Sequence, residues 1–203
     1  MINSLTFTFV SSNKNKIHDF ELIARDLSKK LNIDIKVKSF QPKVDVEENG
    51  TTTLENATLK LANASKEFEG AEILFTEDTA FFVAGLDNKP GILAHRWGGD
   101  DPCGKVLSEL KGLPFVERYA SYECTITYKI NDVIHYVTGK TDGYIADKKR
   151  GDLAFGYDQV FVDNHVTGET VSEKSGWNPD KSFHFHRIDA FTKMVKAVMK
   201  KLS

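Results

Sequence analysis

The first forty residues constrain the fold most. Leu5-Thr6-Phe7-Thr8-Phe9-Val10 alternates apolar and polar side chains and is rich in β-formers, which predicts a strand. Ile17, Phe20, Ile23, Leu27 and Leu31 then recur at helical spacing, with Asn32 as an end signal. Ile33 to Val37 predicts a second strand. A β-α-β opening of this kind points to an α/β fold.

The rest of the chain extends that pattern. Thr52 and Glu55 form a capping-box signature after the Asn49-Gly50 turn, and Ala57, Leu61, Ala64 and Phe68 supply an apolar helical stripe. Ile73-Leu74-Phe75 predicts a short buried strand ending at Glu77-Asp78. Pro90-Gly91 and Gly98-Gly99 are breakers, and Pro102 to Leu110 predicts a helix. Tyr119 to Ile130 and Val133 to Thr138, flanking Asn131-Asp132, predict a hairpin. Gly143 to Ala146 and Tyr157 to Val162 are further strand candidates, and Ile188 to Leu202 closes with an amphipathic helix. With no repeat or low-complexity linker, residues 1–203 read as one α/β domain, long enough to bury roughly 70% of the unfolded chain's surface.

Composition excludes several classes. An apolar fraction of 40% and a charged fraction of 28% fit a folded globular chain. The net charge of −2 gives no bulk basic field for nucleic acid. The apolar run from Ala80 to Leu86 is too short for a bilayer, and the N-terminus lacks a secretory pattern, so a cytoplasmic address is expected. Cys103 and Cys124 have no metal or redox spacing and read as buried thiols.

Several segments could carry chemistry. Ser11-Ser12-Asn13-Lys14-Asn15-Lys16 joins a strand to a helix, where free N–H groups, the helix dipole and lysine favour an anion. The same residues could be a plain N-cap with solvated lysines. Glu77-Asp78 could hold Mg²⁺ or take a proton from water, or cap a turn. Glu47-Glu48 adds further carboxylates, and Lys60 shares a helix face with Asn56. Phe155-Gly156-Tyr157-Asp158 could clamp a base by stacking, or bend into a core strand. Ser182 to Arg187 alternates strictly; if extended, it puts His184 and His186 on one face, with too few further ligands for zinc.

The order of these segments resembles the inosine triphosphate pyrophosphatase family over roughly residues 5 to 200. Ser11 to Lys16 matches its opening Thr/Ser-x-Asn-x-x-Lys, and Glu55 to Lys60 its Glu-Asn-Ala-x-x-Lys helix. Glu77-Asp78-Thr79 with Pro90-Gly91, the Phe155–Asp158 element, Lys181 and His186-Arg187 complete the series. The resemblance implies an elongated mixed β-sheet flanked by helices, with two lobes and a central cleft, usually in a homodimer. It implies hydrolysis of ITP, dITP and XTP to monophosphate and pyrophosphate, with no nucleic-acid or membrane partner. Ser11, Asn13, Lys16 and Lys60 would grip the triphosphate, and Glu47 and Asp78 would hold Mg²⁺. Asp78 would orient or deprotonate water. Phe155, Gly156, Tyr157, Asp158, Lys181, His186 and Arg187 would enclose base and sugar. Ala154, Gln159 and Phe185 depart from the family pattern, all on the base side. Two alternatives follow: a pyrophosphatase for another modified nucleotide, or a nucleotide-binding module without turnover.

Overall fold

A computed structural model describes residues 2–44, 46–70, 72–153, 155–163 and 168–202. Strand β1 (Ser4–Val10) leads into helix α1 (Lys14–Leu31) and strand β2 (Asp34–Phe40). Helix α2 (Thr53–Ala64) and strand β3 (Ile73–Val83) follow, then β4 (Lys89–Gly91), α3 (Ala94–Trp97) and α4 (Pro102–Glu109). The hairpin β5 (Tyr119–Ile130) and β6 (Val133–Ile145), β7 (Phe161–Asp163), α5 (Val171–Trp177) and α6 (Phe185–Leu202) complete the chain. The strands form one mixed sheet in the order β2-β1-β3-β5-β6-β7, with β4 on β3. β1 runs parallel to β2 and β3, while β4 and β7 are antiparallel to their neighbours.

The chain divides into two compact units, and β3, β5 and β6 each contribute to both. The first comprises Met1–Asp78, Cys124–Gly139 and Arg187–Ser203. Its main core joins one face of the sheet to α1 and α6, with Phe7, Phe9, Phe20, Phe75 and Phe191 essentially inaccessible. Neighbouring rings meet edge-on or stacked, as between Phe9 and Phe75 at 4.8 Å. Such pairs add about 0.5–1.5 kcal/mol each beyond area burial. Leu74 faces the other way, against Leu61 and Ala64 of α2. The alternation in β3 therefore assigns Phe75 and Glu77 to one face, and Leu74, Thr76 and Asp78 to the other.

The second unit, Thr79–Glu123 and Lys140–His186, has its own core around Phe81, Tyr122, Tyr157 and Phe161. Phe81 stacks on Tyr157 at 4.4 Å, and the Tyr157 hydroxyl donates to the Ala94 carbonyl at 2.9 Å.

Local rules placed most elements. Asn32 ends α1 in the left-handed region at φ 53°. The hairpin turn uses positive φ at both Asn131 (48°) and Asp132 (63°), the turn geometry that matches strand twist. Four expectations are corrected. β3 is 11 residues long, so Glu77-Asp78 lies inside a strand rather than at its end. The 143–146 candidate is the continuation of β6, which reaches Ile145. There Gly143 admits the partner strand: a Cβ would come within 2.2 Å of the Val162 carbonyl oxygen. The 157–162 candidate shrinks to β7, because Gly156 at φ 56° turns the chain and the Val160 N–H folds back to the Tyr157 carbonyl. The alternation at 182–187 is not extended, because α6 begins at Phe185.

Candidate active site

The first unit builds a charged cluster on both faces of β3. On one face stands α1. Asn13 caps it, its side-chain oxygen accepting the N–H groups of Asn15 (3.0 Å) and Lys16 (3.3 Å). The Ser11 hydroxyl in turn accepts the Asn13 N–H at 3.1 Å. One turn in, Lys16 reaches Glu77, Nζ to Oε1 at 2.5 Å. Glu77 is buried, which works against its ionisation, but Lys16, Arg187 and Lys60 together hold its carboxyl far below the usual range. Arg187 is buried as well, and Nη1 donates to Asp19 Oδ2 at 3.1 Å. Burial opposes the guanidinium charge, and Asp19 and Glu77 more than compensate. Arg187 thus stands behind Glu77 in the first unit.

The opposite face of β3 meets α2. The capping box at its start is complete: Thr52 Oγ1 accepts the Glu55 N–H, and Glu55 accepts the Thr52 N–H. This fixes the first turn and directs Asn56 and Lys60 at Asp78. Asn56 Nδ2 donates to Asp78 Oδ2 at 3.2 Å, and Lys60 Nζ to Oδ1 at 3.3 Å. The same ammonium lies 3.3 Å from Glu48 Oε1. Burial, with the negative charges of Glu77 and Glu48, raises the Asp78 carboxyl above its ordinary value despite Lys60 and Asn56. Burial would lower the Lys60 ammonium, but Asp78, Glu77 and Glu48 raise it. Glu48, rather than Glu47, supplies the loop carboxylate at this ammonium; Glu47 is exposed and its backbone carbonyl accepts the Asn49 N–H.

Of the expected base-side residues, the second unit holds Phe155 to Asp158, Lys181 and His186, whereas Arg187 belongs to the first unit. His184 Nε2 lies 3.0 Å from Asp158 Oδ2, and its ring is edge-on to Phe155 at 5.8 Å. His186 stacks on Tyr122 at 4.5 Å, an aromatic partner with no signal in the local sequence. Tyr157 is a core residue. Lys181 is exposed, its ammonium 5.4 Å from the centre of the Phe183 ring. Among the departing positions, the Gln159 side chain donates to the Gly151 carbonyl at 2.8 Å, and Phe185 lies near the Lys174 ammonium at 5.7 Å. Ala154 lies outside the described residues.

Chemically, the first cluster pairs a basic carboxylate with two ammonium groups, a set able to neutralise phosphate oxygens and orient a water molecule. Residues 7–197 match the family model described as Ham1 family. The chain belongs to the Ham1 family. Its relatives include the dITP/XTP pyrophosphatase of Thermoanaerobacter sp. strain X514, 34% identical and covering 79% of this chain and 81% of the relative. The dITP/XTP pyrophosphatase of Geobacillus kaustophilus is 32% identical over 91% of this chain and 89% of its own length. Among solved structures, the Staphylococcus aureus Ham1 protein superposes with a TM-score of 0.71 at 27% identity, covering 98% of this chain and all of that one.

Proposed function

We propose that this chain hydrolyses ITP, dITP and XTP to the monophosphate and pyrophosphate, and so removes non-standard purines from the nucleotide pool. The observation that carries the reading is the buried Asp78 carboxylate held by Lys60 and Asn56, with Glu48 on the same ammonium. Names of the relatives, dITP/XTP pyrophosphatase, support the substrate class.

Attack on the alpha phosphorus gathers negative charge on phosphate oxygens and on the departing pyrophosphate. Lys16 and Lys60 neutralise that charge from fixed positions, which avoids reorganisation during the step. Asp78, with its raised proton affinity, orients the attacking water and accepts its proton. Ser11 and Asn13 hold the α1 start, where the helix dipole favours the phosphate chain. The donor set fits a hard divalent ion: Glu48 and Asp78 offer only oxygen, and Mg²⁺ is usually held by one or two carboxylates plus substrate phosphates. Asp78 with Glu48 or Glu47 would hold Mg²⁺. When bound, it supplies Lewis-acid neutralisation of phosphate oxygens.

Base and sugar are assigned to Phe155, Gly156, Asp158, Lys181 and His186, while Tyr157, expected there too, is a core residue stacked on Phe81 that supports the segment from below. Arg187 gives Nη1 to Asp19 and is read as the support of Glu77. A donor facing the 6-oxo group would be left unpaired by adenine, at a cost of about 1–3 kcal/mol. The working form is read as a cytoplasmic homodimer. No helix among the described residues is long and apolar enough to cross a membrane.

A nucleotide panel, with and without magnesium and scored by product identity, tests the reading. ITP and XTP should give monophosphate and pyrophosphate far faster than ATP or GTP. Equal rates on all purines remove the selectivity; a pyrimidine preference moves the substrate class; tight ITP binding without product makes the chain a binding module.

A further inference from the structure

The face of the sheet beneath α2 is lined with threonine hydroxyls where a helix–sheet interface would ordinarily be apolar. Thr76 of β3 and Thr127 of β5 are fully buried. Their hydroxyls lie 2.7 Å apart, and both lie within hydrogen-bond distance of one helix carbonyl, that of Ala57, at 2.6 Å and 3.0 Å, so their two protons are shared over three contacts. A second group pins the start of the same helix. Thr53 Oγ1 lies 2.8 Å from Thr125 Oγ1, which lies 3.1 Å from Thr138 Oγ1 on β6. Two strands, β3 and β5, therefore grip the first and second turns of α2, with Thr138 of β6 behind Thr125.

The placement of this grip matters. Thr76 and Asp78 are two residues apart on β3, so they face α2 in succession. Ala57 directly follows Asn56 and precedes Lys60 by one turn. The strand that fixes Ala57 through Thr76 thus presents Asp78, one step on, to Asn56 and Lys60. Apolar packing is non-directional and tolerates sliding. Hydrogen bonds lose strength steeply with distance and angle. A slide of α2 by one residue, about 1.5 Å, would break the Ala57 contacts. It would also carry Lys60 out of reach of Asp78.

We infer that Thr76 and Thr127, with Thr53, Thr125 and Thr138 behind them, form a hydroxyl clasp that sets the register of α2 on β3 and thereby positions Lys60 and Asn56 on Asp78 for the reaction. These are positioning residues; none needs to touch substrate. The inference rests on the proposed pyrophosphatase reading and concerns the same site.

The test compares Thr76→Val, Thr127→Val and Thr76→Ser with the wild-type chain. Valine keeps the shape and removes the hydroxyl, and serine keeps the hydroxyl. Steady-state kinetics on ITP with Mg²⁺ should give kcat lowered about 10- to 100-fold in each valine variant, the scale of a small misplacement of catalytic groups. KM should stay within about threefold, and Thr76→Ser should recover most of kcat, a split that rests on the loss being confined to the chemical step. A purely structural hydroxyl would change melting temperature in the two valine variants and leave kcat alone. Valine variants that fold and keep kcat within twofold overturn the inference. So does a serine variant as slow as the valine one. If a valine variant fails to fold, hydrogen exchange in Thr138→Val, at the outer end of the clasp, decides. Faster exchange of the α2 amides supports the clasp, and unchanged exchange refutes it. A wild-type chain that releases no pyrophosphate from any nucleotide fails the functional reading instead, and the exchange measurement still reads the clasp.

Discussion

Replacing Asp78 with asparagine separates chemistry from folding more cleanly than any other single change. The side chain keeps its size and one oxygen for Lys60, but it loses the oxygen that accepts from Asn56, its charge and its capacity to take a proton. Loss of a general base typically costs about 10²–10⁴ in rate. Weakened electrostatic placement of Lys60 alone would cost about 10²–10³. A fall in kcat of at least about a hundredfold is therefore expected. Stability should move the other way. Burial and the neighbouring carboxylates raise the Asp78 carboxyl in the folded state. A group whose folded pKa is raised favours the protonated form on folding, so its charged form weighs against the fold at neutral pH. Asparagine removes that charge while Glu48 and Glu77 remain to balance Lys60. The melting temperature at pH 7 should stay level or rise. Pyrophosphate release from ITP and thermal unfolding on the same sample check both halves. A folded Asp78→Asn protein with kcat within tenfold of wild type would refute the reasoning, and a large drop in melting temperature would refute its electrostatic half.

Glu77 carries the opposite pKa sign. Its carboxyl is held far below its ordinary value of 4.5, so it stabilises the fold above that pH and the contribution fades as pH falls below it. Glu77→Gln should flatten the dependence of stability on pH in the acid range below 4.5, seen as melting temperature against pH; an unchanged slope counts against the Lys16 and Arg187 pairing. Arg187→Met breaks the buried pair with Asp19 and should cost about 3–5 kcal/mol in urea unfolding. A loss below about 1 kcal/mol would show that the pair contributes little.

Much of the fold was legible because its signals are local. A capping box needs residues three apart, and Thr52 with Glu55 satisfied it to the atom. A two-residue hairpin turn needs residues that accept positive φ, and Asn131-Asp132 supplied them. Other features depend on distant partners. Asp19 inside an amphipathic helix reads as one more solvated carboxylate, because its partner Arg187 lies 168 residues away. Two adjacent glutamates in an irregular loop carry no periodicity, so nothing in the sequence favoured Glu48 over Glu47 at Lys60. The threonines under α2 looked like ordinary strand formers, since β-propensity explains Thr76, Thr125 and Thr127 without any helix above them. The alternation of Ser182 to Arg187 suggested an extended segment, but amphipathic packing of α6 on the first core begins the helix at Phe185.

The strict two-sidedness of β3 limits how a sequence of this kind can vary. Removing a single residue between Ile73 and Thr76 would turn the strand over from that point, sending the aspartate toward α1 and the glutamate toward α2. Both charge sets would then confront the wrong helix at once, and no point substitution nearby could restore them. A change of length is thus compatible with the site only in the connections outside the strand, while inside it only the letters can change.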